Sequence, residues 1–592
     1  MPLGYSIHFL IQSPYMFSLH DTIDDALRAE FSQYDDFTAA LLSRRGIVTR
    51  EDADRFLNPS YDLHLHDPLQ MTDMPKAARR LADAILAKEK IAVWSDYDCD
   101  GIPGAVVLHD FLKKSGANFE NYIPHRHREG YGVNVAGIEQ LAKRGISLVV
   151  TIDSGITDHA ALARAKELSI EVIVTDHHLI SEKGLPEAYA VVNPNARVDE
   201  MYPFHDLCGA AVAWKLVCAT LAVEPSFRER VPEGWEKWLL DMVGIATIAD
   251  MVPLVGENRV LATYGLLVLR KSPRIGVQKL CRVIRVEQCT ITEDDIGFMI
   301  APRVNAASRM DDARDAFLLF TTDSESEADT LAKKLESVNR TRKAEAGAIT
   351  RAVHARLKER SEMRSVIALG DPAWRPGLLG LVANTIAEEY ERPVFLWGRE
   401  GNNSIKGSVR SGGATHALEL MRATEDTFVE CGGHAAAGGF TVQESAVFFL
   451  EDRLVLALRS LGEGGEAQSN DLSLHADAVI TPEEVNAKFL SQVERLAPFG
   501  MKNPKPLFLL RDVSLREISR FGKGQEHLKL KIAADDGART IDAVQFFTKG
   551  QTARTATDLA PGSRVSLLAH LERDTFSRGT PVRLRLLDIR LV

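Results

Sequence analysis

Short apolar runs alternate with helical patterns over the first half of the chain. Between residues 76 and 323, four runs rich in Val, Ile and Ala are separated by helix-compatible stretches such as ALARAKEL. Buried parallel strands read as continuous apolar runs, and helices connect them. We therefore predict an α/β fold with a parallel sheet in this region. The predicted strands are IAVWS (91–95), SLVVTI (147–152), EVIVT (171–175) and AYAVV (188–192).

Helical patterns lie on both sides of this region. Residues 1–75 predict a helical lead-in, because FTAALLSRRGI and EDADRFLNP place apolar residues at helical spacing. Residues 324–357 are rich in Ala, Glu, Lys and Arg and contain one glycine and no proline, which predicts one long helix. We expect this helix to connect a domain at 76–323 to a smaller α/β domain at 358–461. In the smaller domain, SVIALG, GLLGLVANTIAEEY and RPVFLWG predict a strand, a helix and a strand.

The C-terminal residues 471–592 alternate between apolar and polar side chains. Four segments, HLKLKIA, DAVQFF, RVSLLAHL and VRLRLLDIRLV, have the period of two that half-buried strands show. Several such strands close together predict a small β-barrel that resembles the oligonucleotide-binding type. Alternation in the last strand places Arg583 and Arg585 on one face. We expect at least one of Phe546 and Phe547 to belong to the barrel core.

Composition narrows the class of protein. Of 592 residues, 45% are apolar and 26% charged, as in ordinary globular proteins, which excludes collagen, low-complexity disorder and a disulfide scaffold. The six cysteines form no C-x-x-C pair, which argues against a zinc ribbon, and such sparse cysteine fits a reducing cytosol. The sequence shows neither a cationic leader nor an uncharged apolar stretch of about 18 residues. We therefore expect a cytoplasmic monomer that has no membrane partner.

The net charge of −11 hides an uneven distribution. Residues 501–592 contain 17 Lys and Arg against 10 Asp and Glu, a charge of +7, which leaves −18 on the remainder. A basic tail on an acidic body is typical of a nucleic-acid grip beside a metal site. Chance variation of surface charge explains the same numbers nearly as well, so charge alone does not decide between the two.

Three acidic residues each follow one of the predicted strands directly. Asp96 follows IAVWS, Asp153 follows SLVVTI, and Asp176 follows EVIVT and precedes His177 and His178. In an open parallel sheet, ligands bind beyond the carboxyl ends of the strands. We therefore expect these three turns to converge on one crevice, although they lie far apart in the sequence.

The first of these turns, SDYDCDG, is the densest in charge. In an extended segment Asp96 and Asp98 face the same way, and Gly101 and Gly104 are expected to allow a tight turn into the next helix. Four or five carboxylates in one crevice repel each other unless cations neutralise them. Taken singly, each motif is better explained as a helix cap or a solvated loop. Together they predict a site for divalent cations, Mn²⁺ or Mg²⁺ rather than a closed zinc site.

The order of motifs SDYDCDG, TIDSGI, TDHH and ATIADMVPL resembles the metal motifs of the DHH phosphoesterase superfamily. Further segments are similar to its RecJ branch, the 5′→3′ exonucleases specific for single strands. The resemblance spans nearly the whole chain and implies a DHH domain, a DHH-associated domain and an oligonucleotide-binding barrel. The further segments are HREGYGVN (127–134), APRVNAASRM (301–310), KGSVRS (406–411), CGGHAAAGG (431–439) and LAPFGMKNPKP (496–506).

The resemblance also implies the roles of individual residues. Asp98 or Asp153 would bridge two metal ions, and His178 would lie near the scissile phosphate, which makes Asp98, Asp153 and His178 the expected catalytic residues. Two ions roughly 4 Å apart activate a water and stabilise the leaving oxygen. The implied metal ligands are Asp96, Asp98, Asp153, His177 and Asp250. The implied substrate-binding residues are Arg126, which would reach the terminal 5′-phosphate, Arg309, Ser408, Arg410, Gly432, Gly433 and His434.

The sequence departs from the family pattern at a few positions. Ser95 and Pro103 stand where the family usually has Gly and Thr in the first motif, and Arg375 replaces the usual His after Trp374. These changes spare the implied metal ligands. They leave open how the substrate is contacted near Arg375.

We therefore expect a two-metal exonuclease that degrades single-stranded DNA from the 5′ end to 5′-mononucleotides in repair and recombination. A helicase and a single-strand-binding protein are candidate partners. In the barrel, Lys523, Lys529 and Lys531 are expected to follow phosphates, and Phe521 with Phe546 or Phe547 to stack on bases. Two alternatives stay open. One is a DHH-family phosphodiesterase of short oligoribonucleotides or cyclic dinucleotides, and the other is a catalytically silent DNA-binding scaffold.

Overall fold

The computed structural model describes residues 17–196, 202–400, 404–413, 415–462, 475–522, 524–534, 539–547, 558–574 and 582–592. The chain forms two compact units. The sheet unit comprises His66–Val252 and Tyr264–Asn470, and the barrel unit comprises Met1–Leu65, Pro253–Thr263 and Asp471–Val592. Among the helices of the described ranges, none has both the length and the hydropathy needed to cross a membrane.

The strands and helices are numbered here in chain order. The strands are β1 (Ser18–Leu19), β2 (Lys90–Ser95), β3 (Asn118–Tyr122), β4 (Leu148–Ile152), β5 (Glu171–Thr175), β6 (Ala190–Val192), β7 (Ile367–Gly370), β8 (Val394–Glu400), β9 (Ser404–Arg410), β10 (Phe428–Gly433), β11 (Ala437–Val442), β12 (His475–Ala476), β13 (Ala478–Val479), β14 (Phe508–Phe521), β15 (His527–Ala533), β16 (Thr540–Gln545), β17 (Arg564–Arg573) and β18 (Val582–Leu591). The α-helices are α1 (Asp25–Glu30), α2 (Asp36–Arg44), α3 (Arg50–Leu57), α4 (Tyr61–His64), α5 (Met74–Leu86), α6 (Gly101–Ser115), α7 (Val135–Lys143), α8 (His159–Glu167), α9 (Gly209–Val223), α10 (Leu240–Ala249), α11 (Gly256–Leu269), α12 (Ile275–Ile284), α13 (Glu293–Asp295), α14 (Ala301–Met310), α15 (Arg314–Thr321), α16 (Glu325–Lys358), α17 (Pro376–Tyr390), α18 (Ala417–Arg422), α19 (Leu450–Ser460) and α20 (Ala487–Glu494).

A five-stranded parallel sheet forms the first half of the sheet unit, in the order β3-β2-β4-β5-β6. Every residue of β4 is buried, as are the last five residues of β2, which explains their unbroken apolar runs. The α/β prediction with a parallel sheet is confirmed. Because all strands run the same way, the carboxyl ends of β2, β4 and β5 meet at one edge.

The expectation for Gly104 is wrong. It lies within α6 rather than in the turn, and a Cβ at this position would lie 2.6 Å from Ile152 and 3.1 Å from the backbone of Ala210. Gly104 therefore lets α6 pack closely against the end of β4 and the start of α9. Gly101 does lie at the turn, because a Cβ there would lie 2.4 Å from the backbone oxygen of Asp96.

The predicted long helix is α16, which has 34 residues. Its buried side chains include Leu331, Leu335, Ile349 and Val353, which recur at helical spacing along one side. Ile349 and Val353 belong to an apolar cluster that also contains residues of α17, β7 and β8. The helix therefore connects to the smaller α/β region through this cluster.

A second, mixed sheet in the order β10-β11-β9-β8-β7 forms the smaller α/β region. β7 and β8 are parallel, and the remaining neighbours are antiparallel. This sheet places Ser408 and Arg410 on β9, with Gly439 and Ala437 of β11 opposite them.

The barrel unit contains a closed barrel in which β14, β15, β16, β18 and β17 are neighbours and β14 also pairs with β17. Its core includes Leu584 and Leu586 of the last strand, as the alternation predicts. Phe31, Leu42 and Phe56 of the N-terminal segment belong to the same core. The N-terminal helices thus stabilise the barrel unit. The domain boundaries given above remain a proposal.

The expectation that Phe546 or Phe547 belongs to the barrel core is wrong. The two residues are 38% and 63% exposed. β16 ends at Gln545, and Phe547 has a positive φ of 54°, so the chain leaves the strand at this point and both rings reach the surface.

Candidate metal centre and arginine cluster

Four elements of the sheet unit bring the predicted metal ligands together. Asp96 follows β2, Asp153 follows β4, His177 lies two residues after β5, and Asp250 ends α10. Asp153 has a φ of 57°, a left-handed conformation that is uncommon for a residue other than glycine. The turn after β4 therefore holds this carboxylate in a backbone conformation that the surrounding fold must enforce.

The ligand atoms form three overlapping groups, which are Asp153 with His177 and His178, Asp100 with His177 and Asp250, and Asp96 with Asp98 and Asp153. Nε2 of His177 lies 3.2 Å from Oδ1 of Asp153 and 3.8 Å from Oδ2 of Asp250. In the group of Asp96, Asp98 and Asp153, one oxygen of each residue lies within 4.8 Å of the others. Asp153 belongs to two of these groups, and its role as a ligand shared by two cations stays a prediction.

The turn after β2 is fixed by hydrogen bonds from its own backbone. Oδ1 of Asp98 accepts bonds from the backbone nitrogens of Asp100 and Gly101, at 2.8 and 3.1 Å, which caps the start of α6. The backbone nitrogen of Cys99 donates to Oδ1 of Asn305 on α14, at 2.9 Å. The NAASR segment thus supports the metal-ligand turn, a contact that the sequence did not reveal.

Asp100 belongs to the site, although we did not predict it as a ligand. Its carboxylate is buried, lies 3.6 Å from Nε2 of His177, and forms a possible metal group with His177 and Asp250. It accepts hydrogen bonds from the backbone nitrogens of Gly209 and Ala210 at the start of α9, at 2.6 and 2.7 Å. The D-x-D-x-D alternation of the SDYDCDG motif was the signal that could have identified it.

Asp176 positions the two histidines. Its carboxylate accepts hydrogen bonds from the backbone nitrogens of Ile156, His177 and His178, and it lies 2.8 Å from Nδ1 of His178. Burial opposes ionisation of the His178 ring, but the hydrogen bond and the charge of Asp176 outweigh it and raise the pKa of His178 to about 9. His178 therefore carries a positive charge at neutral pH beside the metal ligands.

Tyr131 is a further residue of the site that we did not single out. Its hydroxyl donates to the backbone oxygen of Asp153 at 3.2 Å and lies 3.4 Å from Nδ1 of His178. The ring is half exposed, and it contacts the Tyr97 ring edge-on with 6.5 Å between the centroids. Tyr131 thus connects the strained Asp153 turn to His178.

The buried carboxylates of the site lack some of the hydrogen bonds and positive charges that would stabilise their ionised forms. Oδ1 of Asp96 and Oδ1 of Asp153 are buried and have no hydrogen-bond partner among the described residues. Burial, and then the charges of neighbouring aspartates, raise the pKa values of Asp96 and Asp153 well above the usual range. Burial and the charges of Asp100 and Asp98 raise the pKa of Asp250 to about 8. A divalent cation would satisfy the buried oxygens and favour the ionised carboxylates.

Three of the predicted substrate-binding arginines lie close enough to interact. Burial, together with the positive charges of Arg126 and Arg410, lowers the pKa of Arg309 to about 10. Arg126 stacks its guanidinium on the buried ring of Tyr97, 4.9 Å from the centroid, and its charge also acts on Asp96. The arginine cluster therefore adjoins the metal ligands.

Arg410 and Ser408 lie against α17. A Cβ at Gly380 would lie 3.0 Å from Nη2 of Arg410 and 3.5 Å from Oγ of Ser408, so the glycine permits this close approach. Arg309 donates to the backbone oxygen of Gly377, at 3.2 Å, near the start of the same helix. α17 thereby connects the predicted substrate-binding residues of α14 and β9.

The remaining predicted substrate-binding residues lie two strands away from β9. Gly432 and Gly433 end β10, and they pair with Gly439 and Gly438 of β11. A Cβ at Gly433 would lie 2.3 Å from the backbone oxygen of Ala437, whereas a Cβ at Gly432 would meet nothing within 4 Å. His434 is exposed at the hairpin, and its Nδ1 accepts a hydrogen bond from the backbone nitrogen of Ala436 at 3.3 Å.

Arg375, which departs from the family pattern, lies at the N-terminal cap of α17 and forms an ion pair with Glu345 of α16, at 3.1 Å. Its guanidinium is about half exposed, so it is a surface contact between two helices.

The barrel residues predicted to bind a strand differ in their environment. Lys529 and Lys531 form ion pairs with Asp542 and Glu517, each at 2.7 Å, so their charges are already compensated. Lys523 lies outside the described residues. Phe521, Phe546 and Phe547 surround His527, with ring centroids 4.9, 5.4 and 4.7 Å from the imidazole. This aromatic cluster is the barrel feature best suited to bind bases.

Three family models match the chain. The DHH family N-terminal domain matches residues 90–247, the DHHA1 domain matches residues 363–459, and the RecJ OB domain matches residues 476–588. These matches agree with the parallel sheet, the smaller α/β region and the closed barrel described above.

Known relatives and a solved structure support the same family assignment. The chain is 33% identical over 554 residues to the single-stranded-DNA-specific exonuclease RecJ of Bacillus subtilis, covering 93% of this chain and 67% of that protein. It is 31% identical over 493 residues to the protein of the same name from Escherichia coli, covering 81% and 84%. The crystal structure of RecJ in complex with Mn²⁺ from Thermus thermophilus superposes with a TM-score of 0.77 at 28% identity, covering 97% of this chain and 78% of that one. The chain therefore belongs to the RecJ family of the DHH superfamily.

Proposed function

We propose that this protein is a metal-dependent exonuclease that hydrolyses single-stranded DNA from the 5′ end and releases 5′-mononucleotides in repair and recombination. The observation that carries the proposal is the arginine cluster beside the buried acidic cluster. The acidic cluster is suited to metal-assisted hydrolysis of a phosphodiester, and the arginines are suited to binding a phosphate dianion. A dianionic terminal phosphate distinguishes the end of a strand from an internal phosphodiester. The relatives named as single-stranded-DNA-specific exonucleases support the choice of substrate.

The residues present fit two divalent cations, Mn²⁺ or Mg²⁺. One cation would be held by Asp96, Asp98 and Asp153, and the other by Asp100, Asp153, His177 and Asp250. The unsatisfied oxygens of Asp96 and Asp153 support this assignment. Related RecJ structures contain Mn²⁺ or Mg²⁺. When bound, such ions supply an activated water and stabilise the leaving oxygen.

The protein's own residues orient the strand at this centre. His178, which is held by Asp176 and charged at neutral pH, would contact the scissile phosphate. The terminal 5′-phosphate would be bound by Arg126, Arg309 and Arg410, because guanidinium groups form paired hydrogen bonds with phosphate oxygens. Binding the end in this way fixes which phosphodiester lies at the metal ligands.

The barrel supports the choice of a strand over a short oligonucleotide. Exposed aromatic rings stack on bases without regard to sequence, and Phe521, Phe546 and Phe547 supply such rings. The retained acidic set argues against a catalytically silent scaffold. Cytoplasmic location, a monomeric state, and a helicase or single-strand-binding protein as partners remain predictions.

The test is a nuclease assay with single strands labelled at the 5′ or the 3′ end and with blunt duplex, in the presence and absence of Mn²⁺. The expected result is Mn²⁺-dependent release of labelled mononucleotide from the 5′-labelled single strand only, at early times. Asp153→Asn should abolish hydrolysis, because it removes the shared ligand, but should leave strand binding largely intact.

Asp323→Asn is the matched control, because its carboxylate is 89% exposed and, among the described residues, forms an ion pair only with Lys113 on the surface. This variant should keep full activity. Early release from the 3′ end, or preference for two- and three-residue RNA over long DNA, would refute the proposed exonuclease.

A further inference from the structure

A cleft of about 460 Å³ lies between α16 and α17. Its lining contains three basic residues and no acidic one: Arg342 and Lys343 from α16, and Arg410 from β9. The rest of the lining comprises neutral polar side chains, such as Thr350 and Thr385, and small or apolar residues, such as Leu381 and Val382. A cavity of this size is large enough for a phosphate-bearing ligand.

No carboxylate of the described residues pairs directly with the positive charges of the cleft. Among the described residues, Arg342, Lys343 and Arg410 form no ion pair. Arg342 donates only to the neutral Oδ1 of Asn339, at 3.1 Å. The nearby carboxylate of Glu336 is bound by Arg303, at 2.8 Å. The cleft therefore holds three cations without an ion-pair partner among the described residues, and a bound anion would supply one.

Electrostatics within the cleft agree with this geometry. Burial, and then the charge of Arg303, lowers the pKa of Arg342. Burial and the charges of Arg303 and Arg342 lower the pKa of Lys343. The cationic forms thus repel each other, and binding of an anion would relieve this repulsion.

The shape of the cleft depends on Gly347, a glycine that close packing does not require. Gly347 is the single glycine of α16, and a Cβ there would approach no atom more closely than Nη1 of Arg351, at 3.5 Å. Glycine within a helix is destabilising relative to alanine, so packing does not explain its presence. Its missing side chain leaves space in the lining of the cleft.

The cleft continues into the arginine cluster. Arg410 belongs to both, and the charge of Arg342 acts on Arg309 together with those of Arg126 and Arg410. Five positive side chains therefore lie in one connected region, when Lys343 is included. A terminal phosphate dianion neutralises only part of this charge.

We propose that the cleft between α16 and α17 binds a second phosphate group, next to the terminal phosphate of the strand, through Arg342, Lys343 and Arg410. This inference rests on the proposed function, because the arginine cluster is taken as the site of the strand end. The second phosphate belongs either to a 5′-polyphosphorylated end or to a free phosphate compound.

The experiment measures binding by the full-length chain in EDTA, so that the strand is not cut. Three oligonucleotides of one sequence carry a 3′ fluorophore and a 5′-hydroxyl, 5′-monophosphate or 5′-triphosphate, and anisotropy reports affinity. Inorganic pyrophosphate is the free probe, and the thermal shift reports its binding. Arg342→Gln and Gly347→Leu are the variants. The first removes a charge, and the second fills the cleft without altering charge.

If the second phosphate is attached to the strand, the wild type should bind the triphosphate end about tenfold more tightly than the monophosphate end. Both variants should lose this preference. If it is free, pyrophosphate should raise the melting temperature of the wild type but not of the variants. Gly347→Leu should fold normally, because the added side chain points into the cleft and favours the helix. Equal binding of all probes by the wild type and both variants would overturn the proposal.

Lys333→Gln is the matched control, since Lys333 lies on the same helix, is not part of the cleft lining and, within the described ranges, forms an ion pair only with Asp329. It should bind every probe like the wild type. Hydrolysis of bis(p-nitrophenyl) phosphate with Mn²⁺, which needs the metal centre but no strand end, separates the two proposals. Loss of pyrophosphate binding in Arg342→Gln with unchanged reporter hydrolysis supports the cleft. A wild type that hydrolyses neither reporter nor DNA would contradict the exonuclease and not the cleft.

Discussion

Asp96, Asp153 and Asp250 lie where water solvates their charges poorly. Burial and mutual repulsion favour their protonated forms, which is why their pKa values are raised. Nearby, Asp176 does the opposite for a histidine and keeps His178 charged. The metal-free site therefore holds protons that a cation must displace, and this links metal binding to pH.

We predict that Mn²⁺ binding at pH 7 releases at least one proton. The reason is that the pKa of Asp250 lies at about 8 without metal, whereas a metal-bound carboxylate is ionised. Titration calorimetry in two buffers of different ionisation heat measures the number released. Asp250→Asn should release fewer protons, and Asp323→Asn should match the wild type. Equal heats in both buffers would contradict this prediction.

The same pKa values fix how stability varies with pH. An acid whose pKa is raised on folding, such as Asp250, stabilises the folded state at low pH, and this is lost as the pH rises towards 8. His178, raised to about 9, likewise loses its contribution as the pH rises from about 6.5 to 9. The increase in melting temperature caused by Mn²⁺ should therefore grow between pH 6 and pH 8.

Residues of the site differ in how far the sequence could predict them. Asp96, Asp153 and His177 follow apolar strands, so the rule that parallel strand ends converge places them together. Asp100 and Tyr131 could not be assigned in this way, because their roles depend on α9 and on the backbone of the Asp153 turn. Their contacts arise from tertiary structure that local patterns do not contain.

At the scale of elements, the site is formed by the ends of strands and the first turns of helices. Asp96, Asp153 and Asp176 directly follow the strands β2, β4 and β5. Two backbone nitrogens in the first turn of α9 donate hydrogen bonds to Asp100. The apolar runs predicted these strands well because both faces are buried. β3, with the polar sequence NFENY, was not predicted, because it lies at the sheet edge and is only partly buried.

Gly209, the first residue of α9, is predicted to strengthen metal binding through its close packing against two metal-site aspartates. A Cβ there would lie 2.6 Å from Cβ of Asp153 and 3.1 Å from Oδ2 of Asp100. Gly209→Ala should therefore displace both carboxylates. Overpacking of this kind costs about 1–3 kcal/mol of stability. Mn²⁺ affinity should fall by about 10- to 100-fold, as when groups that orient metal ligands are lost. Mn²⁺ titration and thermal unfolding measure the two effects.

Gly347→Ala provides the control, because this helical glycine has room for a Cβ. It should leave Mn²⁺ affinity unchanged and stabilise the protein by about 0.5–1 kcal/mol. If Gly209→Ala bound Mn²⁺ like the wild type, the close packing of α9 against the Asp153 turn would have no part in holding the ligands.

At the scale of the whole molecule, the net charge of −11 says little about the substrate. The acidic excess includes the buried carboxylates that are suited to bind metal ions. The arginine cluster, whose charges lack ion-pair partners among the described residues, lies beside them. In the barrel unit, lysines that seemed free in the sequence are paired with acids. Charge counts could not show this pairing, because it depends on which residues face each other across strands. The exposed aromatic rings are therefore the feature of the barrel that we propose binds the strand.

This leads to a prediction that separates the roles of the two units. Phe547 is 63% exposed, and base stacking on such a ring contributes about 1–3 kcal/mol per base. Phe547→Ala should therefore raise the KM for a 30-residue single strand about tenfold, with little change in kcat. Hydrolysis of a trinucleotide, which needs the metal centre and the end-binding arginines, should be unaffected. Phe448→Ala is the matched control, because Phe448 is 85% exposed but belongs to the sheet unit. A similar loss in both variants, or an equal loss on the trinucleotide, would show that the barrel ring does not bind the strand.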